Sequence, residues 1–268
     1  MISSDFRAEA RRKLSGKWNK MALCFLAYLL IFFIIGFIAG LLPDSLQPII
    51  SIARTVIEVP LLFGLILTFL KAYNDEEVKA FDFLTLGFSN FKKSWGVTLQ
   101  TALKMIVPII LIIVSYILML VGLGGTMASM YSSALLSTSS SNTSTGMFTL
   151  IIILGFILLI ASIIWAITKS YYYKLAYIVA MENPDMTSKE AVLKSEEIMK
   201  GNRSKLFYLE ISFIGWGILA ACTFGIGSLW LLPYIQFATI TLYKYVSGNN
   251  SEVKVEVEET SSNNDPIQ

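Results

Sequence analysis

Arg54 and Glu58 stand four residues apart inside an otherwise apolar stretch, residues 49–70. That spacing puts both side chains on one face of a helix. A charge at the centre of a membrane helix costs about 2.5–3.5 kcal/mol on insertion scales unless it is paired or snorkels to the interface. Two chemistries fit the pair. It is either an internal ion pair that fixes helix orientation or a polar point on a substrate or ion path. Pro60 follows Glu58 by two residues and frees a backbone carbonyl nearby. The sequence contains no His, which removes His-based metalloprotease, catalytic-triad and imidazole–metal chemistry together. The two cysteines, Cys24 and Cys222, both lie in apolar runs and read as small apolar side chains. Neither a zinc cluster nor a disulfide framework is expected from them. With no nucleophile motif and no paired catalytic carboxylates, no catalytic residues, metal or cofactor are expected.

The elements that carry these residues are set by hydropathy. The chain has 268 residues, 55% hydrophobic and 15% charged, where a soluble domain carries about 25% charged. Mean hydropathy is +0.65. The expected fold class is all-α: a polytopic membrane protein with six transmembrane helices over residues 21–42, 49–70, 97–121, 147–167, 206–222 and 226–246. The first stretch is uncharged and reaches roughly 33 Å at about 1.5 Å per residue. It is too long for a signal-peptide core and ends in no small-residue cleavage site. Gly36 and Gly40 have the spacing of a close helix contact, as do Gly217 and Ala221.

Between the spans, residues 1–20 read as a basic amphipathic interfacial helix, with Ala10, Leu14 and Trp18 at helical spacing. Residues 81–91 are too apolar for a linker and read as a short helix flat at the interface. Residues 122–146 are rich in Gly, Ser and Thr, carry no charge, and read as an exposed, poorly ordered extracytoplasmic loop. Thr187 and Glu190 form a capping box opening a cytoplasmic helix over 187–200, which Gly201 ends. Residues 247–268 read as a disordered acidic tail. Every Lys and Arg except Arg54 and Lys104 falls at the amino terminus, in 71–96, in 169–205 or after 243. The positive-inside rule then places both termini in the cytoplasm of a plasma membrane.

Residues 206–234 carry a further pattern. Ser212, Phe213, Gly215 and Trp216 are followed by Gly225, Gly227, Trp230, Pro233 and Tyr234. The glycines between 223 and 228 suit a tight helix reversal, and Trp230 suits an interfacial anchor. Upstream stand Met199-Lys200-Gly201-Asn202 and Lys205-Leu206-Phe207, and at the amino terminus Arg7, Ala10, Arg11, Leu14 and Trp18. Together these residues resemble the bacterial integral membrane family called domain of unknown function 975. The resemblance implies a multi-span membrane protein and no reaction.

The functional expectation is a non-enzymatic envelope or accessory factor acting through helix or lipid contacts. The alternative is a transporter or small-solute pathway using Arg54 and Glu58, although no internal repeat of the kind common in transporters is visible. The expected partner is the lipid bilayer, with a partner protein or a homo-oligomer left open. A net charge of +2 gives no footprint for nucleic acid.

Overall fold

A computed structural model describes residues 2–136 and 141–248. The acidic tail lies outside the described residues. The helices are α1 (Ser3–Leu14), α2 (Trp18–Gly40), α3 (Gln47–Tyr73), α4 (Asp82–Ser89), α5 (Phe91–Leu136), α6 (Ser141–Tyr173), α7 (Ala176–Glu182), α8 (Ser188–Met199), α9 (Arg203–Ile211), α10 (Ile214–Cys222) and α11 (Ser228–Val246). A 3-10 turn, Asp44–Leu46, joins α2 to α3, and no strand occurs among the described residues. Five segments are long and apolar enough to cross a membrane: Trp18–Gly40, Asp44–Tyr73, Phe91–Leu135, Thr145–Glu182 and Arg203–Cys222. The chain is an all-α, multi-pass membrane protein.

The chain divides into two compact units, one of residues 101–171 and one of residues 1–100 with 172–268. In the first, α5 and α6 form an antiparallel pair. A Cβ on Gly122 would fall 2.6 Å from the Ile152 side chain, and one on Gly155 would fall 3.2 Å from the Ser115 carbonyl oxygen. Small residues therefore let the two backbones meet, as they do between helices in lipid. Of residues 122–146, expected as a loop, 122–136 and 141–146 are helical, and 137–140 lie outside the described residues. Gly and Ser are loop-forming in water, but in hydrocarbon a helix is what satisfies the backbone and Gly becomes a packing residue. Only 17% and 11% of the most apolar windows of α5 and α6 are buried, which leaves their apolar side chains facing outward.

The second unit is built around α11. All seven residues from Phe237 to Tyr243 are buried, so these two turns of the helix are enclosed on every side. Residues 226–246, read as a sixth span, are not among the segments apolar enough to cross. Protein surrounds the stretch Phe237–Tyr243, and Thr239 and Thr241 are satisfied there. Thr241 donates to the Phe237 carbonyl at 2.9 Å. The apolar side of α1, Phe6, Ala10 and Leu14, is also buried, packed on α11 and α9 and so covered by protein.

The first ten residues of α2 and the last fourteen of α3 hold the buried positions of those helices, while their far halves expose apolar side chains. The α3–α4 contact is a glycine crossing: a Cβ on Gly64 would sit 2.0 Å from the Phe83 carbonyl oxygen, and one on Gly87 would sit 2.3 Å from that of Pro60. Gly36, Gly40 and Gly217, by contrast, face open space. Helical spacing of small residues marked those positions, and no neighbouring helix is placed against them. The capping box of α8 forms as its residues imply, Thr187 accepting from the Glu190 amide at 3.3 Å and Glu190 from the Thr187 amide at 2.8 Å.

Residues 206–222, read as one span, are broken. The chain leaves helical register between Ile211 and Ile214, giving two helices of nine residues each. At about 1.5 Å per residue each is roughly 14 Å long, about half of a bilayer core. The reversal after α10 forms where the glycines stand. Gly225 has φ +85°, and its amide donates to the Ala220 carbonyl at 3.0 Å. A Cβ on Gly227 would come within 2.9 Å of the Ala220 Cα, so the close approach of α10 to α11 needs glycine there.

Candidate functional site

Two patterns at opposite ends of the sequence meet at Tyr234. Its ring packs edge-on against Phe213 at 5.0 Å and against Trp18 at 5.6 Å between centroids. Its hydroxyl accepts from Arg11 Nη1 at 2.8 Å and donates to the Arg7 carbonyl at 3.2 Å. Arg7 in turn donates through Nη1 to the Ser212 carbonyl at 3.3 Å, at the break between α9 and α10. The break exposes carbonyls that a continuous helix would use, and the Arg7 guanidinium takes one of them. α1 supplies both arginines because a spacing of four puts them on one side of the helix.

Beside Tyr234 a cleft of about 370 Å³ opens between α1, the start of α2, α10 and α11. Trp18, Trp216 and Trp230 wall it, and Arg11 lines it with them. Trp216 and Trp230 are half exposed, and Phe224 at the reversal is fully exposed. No carboxylate, thiol or Lys lines the cleft. Among the described residues neither Arg7 nor Arg11 is ion-paired to an acid, and Arg7 Nε is buried without a hydrogen-bond partner. The cleft thus joins uncompensated positive charge to an aromatic, apolar wall.

Of the residues singled out in sequence, Ser212, Phe213, Gly215, Trp216, Gly225, Gly227, Trp230, Pro233 and Tyr234 all fall on this hairpin. Phe213, Pro233 and Tyr234 are buried. Arg54 and Glu58 lie elsewhere, on the exposed half of α3. They are ion-paired to each other, and the Arg54 guanidinium lies over the Phe32 ring at 4.6 Å. Sequence reasoning did not bring Arg11 to the cleft or Arg7 to the Ser212 carbonyl. Their spacing beside Ala10 and Leu14 was visible, but the partner lies more than 200 residues away.

On the water side, Lys17 donates to the Ala72 carbonyl at 2.6 Å, and Lys13 and Lys17 both pair with Asp75. Asp75 closes α3 with a left-handed φ of +64°. Hydrogen bonds from Lys17 and then Lys13 hold its carboxyl below the ordinary value of 3.8. These contacts fix the charged edge at which α1 turns into α2. The groups of three His, Cys, Asp or Glu that a metal needs are absent among the described residues.

Helices of this length and hydropathy, with a charged edge on one side, define a polytopic integral membrane protein of the bacterial kind. The chain matches the model of the family described as protein of unknown function (DUF975) over residues 1–250, and it belongs to that family. No curated protein and no solved structure matches it.

Proposed function

We propose that this protein is a non-enzymatic membrane factor that works in the cytoplasmic leaflet through lipid and helix contacts. Both termini are cytoplasmic. Four helices, α2, α3, α5 and α6, cross the bilayer, and the α10–α11 hairpin enters it only part-way. Two of the six crossings read from sequence, those on either side of the reversal, are replaced in this reading by that hairpin. An even number of crossings keeps the cationic segments on one side, as the positive-inside rule requires.

The contact of Tyr234 with Trp18 and Arg11 carries the proposal. Trp18 opens α2 and follows Lys17, which belongs to the charged edge. Tyr234 therefore lies at the level of that edge. Phe224, at the tip, is ten residues away; six helical steps of about 1.5 Å and four turn steps of at most about 3.5 Å keep it within roughly 23 Å of that level. The hydrocarbon core is about 30 Å thick, so the tip stops within it. An exposed apolar tip fits that depth, because Phe224, Ile226 and Trp216 would meet acyl chains. The absence of His supports the non-enzymatic reading. The Arg54–Glu58 pair, matched internally, serves α2–α3 packing here and not a solute path.

A spin label on Cys222 tests the depth, since Cys222 is exposed and Cys24 is buried. In reconstituted vesicles the label should collide with dissolved oxygen far more than with an aqueous nickel chelate. A label that meets the aqueous relaxant freely would show that the reversal emerges into water.

A further inference from the structure

We infer that the cleft beside Tyr234 binds one anionic phospholipid of the cytoplasmic leaflet, its phosphate on Arg11 and an acyl chain between Trp216 and Trp230. The inference rests on the hairpin lying in that leaflet, as proposed above.

Charge complementarity is the first argument. Arg11 lines the cleft, is exposed, and has no acidic partner among the described residues, its Nη1 donating only to the Tyr234 hydroxyl. A guanidinium presents a planar fork of donors that fits phosphate oxygens, and a phosphate would supply the acceptors that no carboxylate here supplies. Three neighbouring basic groups are already engaged: Lys13 and Lys17 with Asp75, and Arg12 with Glu9. Among the described residues no acid supplies the negative charge that the cleft lacks.

Shape is the second. The cleft holds about 370 Å³, within the range of roughly 300–1,000 Å³ usual for small-molecule sites. That volume admits less than one turn of a helix about 10 Å across, so a partner helix does not fit. A narrow acyl chain does. The walls also have mixed polarity: one arginine, Arg11, lines the cleft together with the indoles of Trp18, Trp216 and Trp230. Indole rings favour the headgroup level of a bilayer. Continuity is the third argument, because the cleft opens onto the exposed apolar residues Leu219 and Trp216 of α10. A lipid can enter it sideways without leaving the leaflet.

Trp95→Phe and Trp165→Phe leave the three cleft tryptophans as the only indoles. This variant is reconstituted in phosphatidylcholine vesicles carrying a minor fraction of either brominated phosphatidylglycerol or brominated phosphatidylcholine. Brominated phosphatidylglycerol should quench the indoles at a several-fold lower fraction than the zwitterionic lipid. Arg11→Gln should lower that preference about fivefold. Lys189→Gln, an exposed charge on α8, should leave it unchanged. Equal quenching by both lipids overturns the lipid site and leaves the hairpin in the bilayer. Equal losses from Arg11→Gln and Lys189→Gln also overturn the site, because the preference would then be general surface attraction. Quenching by neither lipid removes the cleft from the bilayer and overturns the proposed function itself. The comparison of the two lipids decides the matter even where an arginine variant fails to fold.

Discussion

The Arg11 guanidinium donates to the Tyr234 hydroxyl at 2.8 Å, joining the first helix of the chain to the last. Through this bond and the Tyr234–Arg7 carbonyl bond, the amino-terminal helix holds the α10–α11 hairpin at a fixed level. Tyr234→Phe keeps the ring against Phe213 and Trp18 and removes both hydrogen bonds. A bond to a charged group contributes about 1.5–3 kcal/mol, so the variant should unfold at clearly lower temperature in detergent. Unchanged thermal unfolding would mean that ring packing alone holds the hairpin.

Gly64 and Gly87 set the distance between α3 and α4. Gly64→Ala forces a Cβ to 2.0 Å from the Phe83 carbonyl oxygen, and backbone must move to relieve it. Overpacking of this kind costs about 1–3 kcal/mol or more. Gly36→Ala, in open space on α2, should be neutral or gain up to about 1 kcal/mol from helix propensity. Membrane yield and melting temperature of the two variants should therefore move in opposite directions. Equal losses would place another helix against Gly36.

Arg54 and Glu58 predict a non-additive pair. Glu58→Gln leaves the Arg54 charge on the apolar half of α3 without its partner, and Arg54→Gln does the converse. Each single change should lower the protein level, and the double change should restore much of it. A double variant as poor as the singles would show that the charges do not act on each other.

Asp75 gives a pH dependence. Its carboxyl is held below 3.8 by Lys17 and Lys13, so its contribution is present above 3.8 and is lost as pH falls through the lower, folded value. The side chain is well exposed, and such pairs contribute about 0.2–1 kcal/mol each. Asp75→Asn should be slightly less stable than the parent at neutral pH, with the two melting curves converging in acid. A gap that widens on acidification would contradict this origin.

Much of the architecture was legible because its signals are local. Runs of apolar residues mark α2, α3, α5 and α6. Thr187 and Glu190 mark the start of α8, and Gly225 marks the reversal. Three features were hidden for physical reasons. The break at Ser212 and Phe213 carries no Pro or Gly, and its exposed carbonyl is met by an arginine distant in sequence. Gly122, Gly125 and the serines after them have the composition of a loop in water but of a helix contact in lipid. The helix α11 looks like a span because it is apolar, yet its tyrosines and threonines suit a position enclosed by protein. The cleft itself needed a contact between residues 11 and 234, which a family pattern can list but not join.

Sided thiol labelling tests the depth of the hairpin most directly. A membrane-impermeant maleimide is applied to right-side-out vesicles carrying either the native chain or Asp44→Cys, with position 44 in the turn between α2 and α3. If the hairpin stops within the cytoplasmic leaflet, the external reagent modifies residue 44 and leaves Cys222 untouched. Modification of Cys222 from the same side as residue 44 would show that the reversal crosses the bilayer, and would contradict the account.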